Sequence, residues 1–243
     1  MIYTARKGQT SSGEAIGILL LETSVPFIPG DVANATTYPF PVRFQKVEGF
    51  TVARAIGKDP SVLEAMIEAA EDLVAQGVRA VTGDCGFMAI HQNVLAEKIR
   101  IPVFLSSLLQ IPFITGLFTD TGKVGIITAD AGSLDSRLLK SIGIENPEKL
   151  VIVGLENQPH FYDFAIKETG VLDTDKVEKE VVAAARHLTT RNPDIRALLL
   201  ECSLLPPYAA AVQEAVDLPV FDYITMIRFV FSAVVQKRYS GFI

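Results

Sequence analysis

The chain has no tryptophan, two cysteines and three histidines in 243 residues. Two cysteines are too few for a disulfide-stapled scaffold, and although Cys85 and Cys202, 117 positions apart, could in principle pair, a disulfide is not expected where thiols stay reduced. His91, His160 and His187 are scattered, so no metal-ligand spacing exists and no metal is expected. The segments "GDVAN" and "TADAGSLD" lack the glycines of a phosphate-binding loop, which argues against a nucleotide enzyme. Basic residues are outnumbered 22 to 28, for a net charge of −6, so a nucleic-acid surface is not expected. No apolar run reaches the roughly 20 residues that span a bilayer. The start carries two basic residues, then a short apolar patch flanked by Glu14 and Glu22, which does not read as a signal peptide. The cytoplasm, where thiols stay reduced, is the expected compartment.

What is present is an ordinary globular composition, 49% hydrophobic and 21% charged, enough to bury a full core. Short apolar runs alternate with amphipathic stretches. "AIGILLL" (15–21), "VRAVTG" (78–83), "IPVFLS" (101–106), "GKVGIITA" (122–129), "KLVIVG" (149–154), "IRALLLE" (195–201) and "LPVFDY" (218–223) read as strands. "PFPVRFQKVEG" (39–49) reads as an extended segment, kept near a sheet edge by its prolines. "DPSVLEAMIEAAEDLVAQG" (59–77) reads as a helix capped by Asp59 or Ser61 and closed by Gly77. The longest helix covers 173–191, and another follows the last strand. Alternation of this kind predicts an α/β fold with mostly parallel sheets flanked by helices.

The chain repeats itself. Residues 78–104 align without a gap on 195–221 at an offset of 117, pairing Cys85 with Cys202, Asp84 with Glu201, and Pro102-Val103-Phe104 with Pro219-Val220-Phe221. "AIGILL" (15–20) is echoed by "KVGIIT" (123–128) at an offset of 108. Two pseudosymmetric α/β domains follow. One is residues 1–116 plus a C-terminal helix at about 223–243, carrying Cys85; the other is 117–222, carrying Cys202.

Ligands of open α/β sheets bind beyond the carboxyl ends of the strands, where both cysteines stand. Two facing halves would set the thiols on either side of one cleft. Strand-to-helix turns aim free N–H groups there, which are expected to lower a thiol's pKa and to hold a carboxylate. Two opposed thiols suit inversion of a stereocentre, one removing a proton and the other delivering one. Buried core cysteines are the alternative reading of each thiol taken singly.

At these residues the sequence resembles the aspartate/glutamate racemase superfamily, over nearly the whole chain. The resemblance implies two pseudosymmetric domains, an active site between them and no cofactor. It makes Cys85 and Cys202 the acid/base pair and places Thr23 and Thr128 at matching positions around the substrate. Gly86, Phe87, Ser203 and Leu204 become the carboxylate-binding donors. The expected activity is a racemase or epimerase acting on a small carboxylate-bearing molecule, an amino acid or a hydantoin-like derivative. A cis–trans isomerase or a decarboxylase on the same fold is the alternative, as is a non-catalytic small-molecule binding protein. Where amino-acid racemases often have Asn-Thr and Thr-His after the cysteines, this chain has Gly86-Phe87 and Ser203-Leu204, which predicts a more apolar pocket.

Asp84 and Glu201 precede the cysteines and, on a regular strand, point away from them, so structural hydrogen bonds are expected. Arg43 suits a carboxylate but is more commonly a surface residue. The loop 27–42, with Asn34, Thr36 and Thr37, has the length of a lid, and His160 is placed near the cleft. The apolar C-terminal stretch is expected to pack in the core and in part to form a subunit interface, a homodimer being the favoured assembly.

Overall fold

The computed structural model describes residues 2–4, 7–118, 122–144 and 147–243. Strand β1 (Ile16–Glu22) pairs in parallel with β2 (Val42–Thr51) on one side and β3 (Ala80–Gly83) on the other, and β3 pairs with β4 (Val103–Phe104). The second sheet repeats this plan: β5 (Lys123–Thr128) lies between β6 (Leu150–Gly154) and β7 (Ile195–Leu200), and β7 pairs with β8 (Val220–Phe221). The strand orders, β2-β1-β3-β4 and β6-β5-β7-β8, are the same order twice. The segment after the prolines is an edge strand, as its sequence demands.

The central strands are covered on both faces and therefore show no alternation; in β5 every residue from Val124 to Thr128 is buried. The helix Leu63–Ala75 covers the first sheet with Met66, Ala69, Ala70 and Leu73, the i, i+3, i+4, i+7 stripe of an amphipathic helix. Burial of Leu73 alone contributes about 1.5–3 kcal/mol. Asp59 accepts the Ser61 N–H at the entry to this segment, and Gly77 closes it at φ 95°. The helix Thr174–Arg191, capped by Asp173, plays the same part for the second sheet with Val177, Val181, Ala184, Ala185 and Leu188. Gly17 and Gly125, equivalent in the repeat, permit that approach. A Cβ on Gly17 would lie 2.9 Å from Leu73, and one on Gly125 2.9 Å from Leu188.

The C-terminal helix runs from Tyr223 to Val234, shorter than the expected span to 243. Its start is fixed by an Asp222–Thr225 capping box, and it loses its apolar character beyond Val235, where "QKRYSG" is polar. It returns to the first sheet, burying Tyr223, Ile224, Met226 and Ile227 against Ile16, Ile18 and Ala80. The core of the second half also takes in Val25, Phe87, Leu108 and Ile111 from the first half, so apolar packing is continuous beneath the cleft. Among the described residues no helix is long and apolar enough to cross a membrane.

Candidate active site

Each cysteine stands one residue beyond the acid that ends its strand. The Asp84 N–H donates to the Leu19 carbonyl at 3.0 Å and the Glu201 N–H to the Ile127 carbonyl at 2.8 Å, equivalent bonds that end the two ladders. Cys85 is extended, with φ −148° and ψ 128°, and starts a 3-10 turn, Gly86–His91. The chain after Cys202 turns toward a second 3-10 segment, Pro206–Tyr208. Both thiols are free and partly exposed. They line one cavity together with Asp84, Gly86, Phe87, Glu201, Ser203 and Leu204. Thr23 lines it as well.

The turn N–H groups face the sulfurs as expected, Phe87 and Met88 toward Cys85 and Leu204 toward Cys202. Their effect is outweighed. Burial, and then the Glu201 carboxylate, push both thiols well above the usual cysteine range. The expectation of lowered thiol pKa values is therefore corrected: at rest both sulfurs carry protons.

Thr128 is also corrected. It lies on β5 itself, fully buried and outside the cavity lining, and its hydroxyl donates to Glu201 Oε2 at 2.7 Å. The repeat explains the misplacement. At an offset of 108 the counterpart of Thr128 is Leu20, inside β1, whereas Thr23 lies past the strand end. Thr23 keeps its place on the wall, but its hydroxyl donates to Glu168 Oε1 at 2.5 Å. The Ser203 hydroxyl donates across the cleft to the Asp84 carbonyl. Neither hydroxyl is idle, since each is already committed within the protein.

The two acids do more than expected. Asp84 accepts the Leu21 N–H through both oxygens, at 3.0 and 3.2 Å, the structural bond its position predicts. Glu201 accepts the Thr128 hydroxyl, with the equivalent Ala129 N–H beside it, while its Oε1 is buried without a partner. A Cβ on Gly86 would lie 1.6 Å from that oxygen, so only glycine leaves it room. Burial raises each acid to about 7. Sequence reasoning missed Glu201 as part of the cleft; the signal was the pairing of a Glu with an Asp in an otherwise even repeat.

The remaining walls are apolar and come from segments with no motif. Phe27 belongs to the long loop, Val52 and Ile56 to the short helix Val52–Ile56, and Ala165 and Ile166 to a π-helical turn, Tyr162–Ile166. Other candidates fall elsewhere. Arg43 pairs with Glu14 at 3.1 Å, away from the cavity. Asn34 caps a 3-10 turn by accepting the Thr36 N–H, and Thr37 donates to the Asp31 carbonyl, so the loop's polar residues hold the loop itself. His160 meets Glu180 at 2.7 Å, and His91 is buried beside Phe50. Among the described residues no group of three His, Cys, Asp or Glu is placed to hold a metal.

No protein-family model matches the chain. Dimethylsulfoniopropionate lyase 5 of Emiliania huxleyi (strain CCMP1516) is 34% identical over 229 residues, 90% of this chain and 45% of that protein. A dimethylsulfoniopropionate lyase of Durusdinium sp. clade D is 30% identical over 234 residues, 93% of this chain and 77% of that protein. The chain spans about half the length of the Emiliania huxleyi relatives, 45%, 57% and 64% of lyases 5, 3 and 7. Among solved structures, unliganded arylmalonate decarboxylase superposes with a TM-score of 0.57 at 16% identity, covering 93% of this chain and 94% of that one. Allantoin racemase from Pseudomonas fluorescens gives 0.55 at 14% identity, covering 91% of each chain.

Proposed function

The chain belongs to the family of the dimethylsulfoniopropionate lyases, on the fold of the aspartate/glutamate racemase superfamily, and from that premise we propose that it is a lyase cleaving a sulfonium carboxylate by elimination. The observation that carries this reading is the make-up of the cavity. Its lining holds two thiols, two carboxyls and ten apolar side chains, and no Lys, Arg or His. A substrate with only negative charge would meet no cation there. A dimethylsulfonium group brings its own cation and two methyl groups that suit apolar walls.

In the proposed reaction a cysteine thiolate removes a proton from the carbon next to the carboxylate. The electron pair of that C–H bond becomes the new double bond, and the bond from the next carbon to the sulfonium breaks. Dimethyl sulfide departs with the electron pair of the broken bond, and acrylate remains. The proton ends on the cysteine and then passes to water. The leaving group departs neutral, so it needs no acid. Turn N–H groups stabilise the charge that gathers on the carboxylate as the proton leaves. The raised thiol pKa is met by the substrate itself, because a cation entering the cavity favours the thiolate.

This reading narrows the racemase expectation. The fold and the thiol pair are those of a racemase, yet elimination needs only one base. The discriminating experiment supplies dimethylsulfoniopropionate in heavy water and follows dimethyl sulfide in the headspace and acrylate by proton NMR. D- and L-aspartate, D- and L-glutamate and a hydantoin are run in parallel. Sulfide and acrylate in equal amounts are expected. Deuterium entering an amino-acid or hydantoin stereocentre, with no sulfide released, would restore the racemase reading and sink the lyase.

A further inference from the structure

Two acids line the cavity, but they are differently committed. Both Asp84 oxygens accept the Leu21 N–H. Glu201 is 1% exposed, and its Oε1 has no hydrogen-bond partner. A buried, unpaired polar atom costs stability, about 1–3 kcal/mol and more for a charged group. Here the cost is retained by a deliberate fit, because the oxygen occupies the space that a side chain at position 86 would fill. Nothing else in the cavity wall offers this carboxyl a counter-charge.

We propose that Glu201 is the specificity-determining residue of the cavity, the counter-charge for the permanent cation of a zwitterionic ligand. An onium group forms no conventional hydrogen bonds, so its recognition rests on charge and on apolar contact. A carboxyl held beneath the wall, next to apolar side chains, supplies both without drawing in water. Asp84 adds to the same field, but neither of its oxygens is without a hydrogen bond. This inference rests on the lyase reading for the kind of ligand and goes beyond it in naming the residue that selects it.

A proton linkage follows from the surroundings of Glu201. It faces Cys202 on its own strand end, Thr128 and the Ala129 N–H from β5, Cys85 and Gly86 from the opposite turn, Asp84 at the end of β3, and the Tyr223 phenol of the last helix; buried Asp31 lies in the loop behind. Burial holds Glu201 at about 7, so near neutral pH part of it is protonated. A bound cation favours the carboxylate and expels that proton. A ligand of the same shape without the cationic centre does not.

The test measures binding, independent of turnover. Calorimetric titrations compare 3-(trimethylammonio)propionate, a poorly cleaved zwitterion, with 4,4-dimethylpentanoate, its tert-butyl isostere, which keeps the carboxylate and lacks the cationic centre. The wild type is expected to bind the cation at least about tenfold more tightly, which corresponds to roughly 1.4 kcal/mol. Glu201→Gln is expected to bring the preference to within about threefold while still binding the isostere, which reports an intact cavity. In the wild type, titration at pH 7 in two buffers of different ionisation enthalpy is expected to show proton release with the cation alone. No preference in the wild type, a full preference in Glu201→Gln, or equal proton release with both ligands would overturn the proposal. Selective cation binding without release of dimethyl sulfide would instead sink the lyase reading and leave this one standing.

Discussion

At the end of β3 the Asp84 carboxyl accepts the Leu21 N–H, and at the end of β7 the Glu201 carboxyl accepts the Thr128 hydroxyl, with the equivalent Ala129 N–H beside it. From there the halves part. Glutamate is one methylene longer, and its spare oxygen lies against Gly86 of the other half. Ser203, which the repeat pairs with Gly86, sends its hydroxyl the opposite way, to the Asp84 carbonyl. The thiols are thus related by symmetry while the groups around them are not. A racemase profits from equal surroundings, because its substrate and product are mirror images. An elimination has a base side and a leaving-group side, and the unequal acids suit that division.

The largest effect that tests this difference comes from the cysteines. Cys85→Ala and Cys202→Ala are expected to lose unequal amounts of dimethyl sulfide release. The variant lacking the base should fall by about 10²–10⁴, and the other by far less. Initial rates measured on folded protein, checked by circular dichroism, decide it. Equal, complete losses would break the comparison and return the site to two-base chemistry.

Next in size is a pH effect that treats the halves alike. Burial raises Asp84 and Glu201 to about 7, above their ordinary values of 3.8 and 4.5. An acid with a raised folded pKa binds its proton more tightly when folded. Its contribution is full below about pH 4 and is lost as pH rises through the folded value near 7. Urea unfolding of the ligand-free wild type should show stability falling across that window, by up to about 1.4 kcal/mol per pH unit for each acid. Asp84→Asn and Glu201→Gln should each flatten the slope. A wild-type stability that rises with pH there would contradict the raised folded pKa values of these two buried acids.

A smaller effect probes the gap between the halves. Gly86→Ala puts a methyl group where Glu201 Oε1 sits and is expected to cost about 1–3 kcal/mol by overpacking. Ser203→Ala, at the paired position, removes one hydrogen bond and should cost about 1 kcal/mol. The double variant Gly86→Ala/Glu201→Ala should recover much of the first loss. Chemical denaturation of the set, with no recovery in the double variant, would show that the clash lies elsewhere.

The frame of this molecule was legible because both sheets are built from buried parallel strands, which write themselves as short apolar runs. The gapless repeat then placed Cys85 on Cys202 and both at strand ends. Less was legible where a side chain acts across the repeat. The resemblance pairs Thr128 with Thr23 around the substrate, but at the offset of 108 that governs this echo its counterpart is Leu20, and it lies buried inside β5. Glu201 looked like a copy of Asp84; its reach to Gly86 depends on the spacing of two turns that no local pattern encodes. Phe27, Val52 and Ala165 come to the cavity from a loop, a one-turn helix and a π-turn, none of which carries a periodic signal.

Thr128 also offers the finest way to sharpen the contrast. Its counterpart Leu20 is already apolar, so Thr128→Val makes the surroundings of Glu201 more like those of Asp84. The Ala129 N–H remains, as the Leu21 N–H does in the first half. Loss of one donor should cost about 1 kcal/mol in folding stability. It should also raise the Glu201 pKa further, because a hydrogen bond that favours the carboxylate is gone. The pH at which zwitterion binding reaches half its maximum should therefore move upward, while binding of the tert-butyl isostere, an anion without the cationic centre, does not rise with pH. An unmoved midpoint would mean that the titrating group is not Glu201, and the next variant to titrate would be Asp84→Asn.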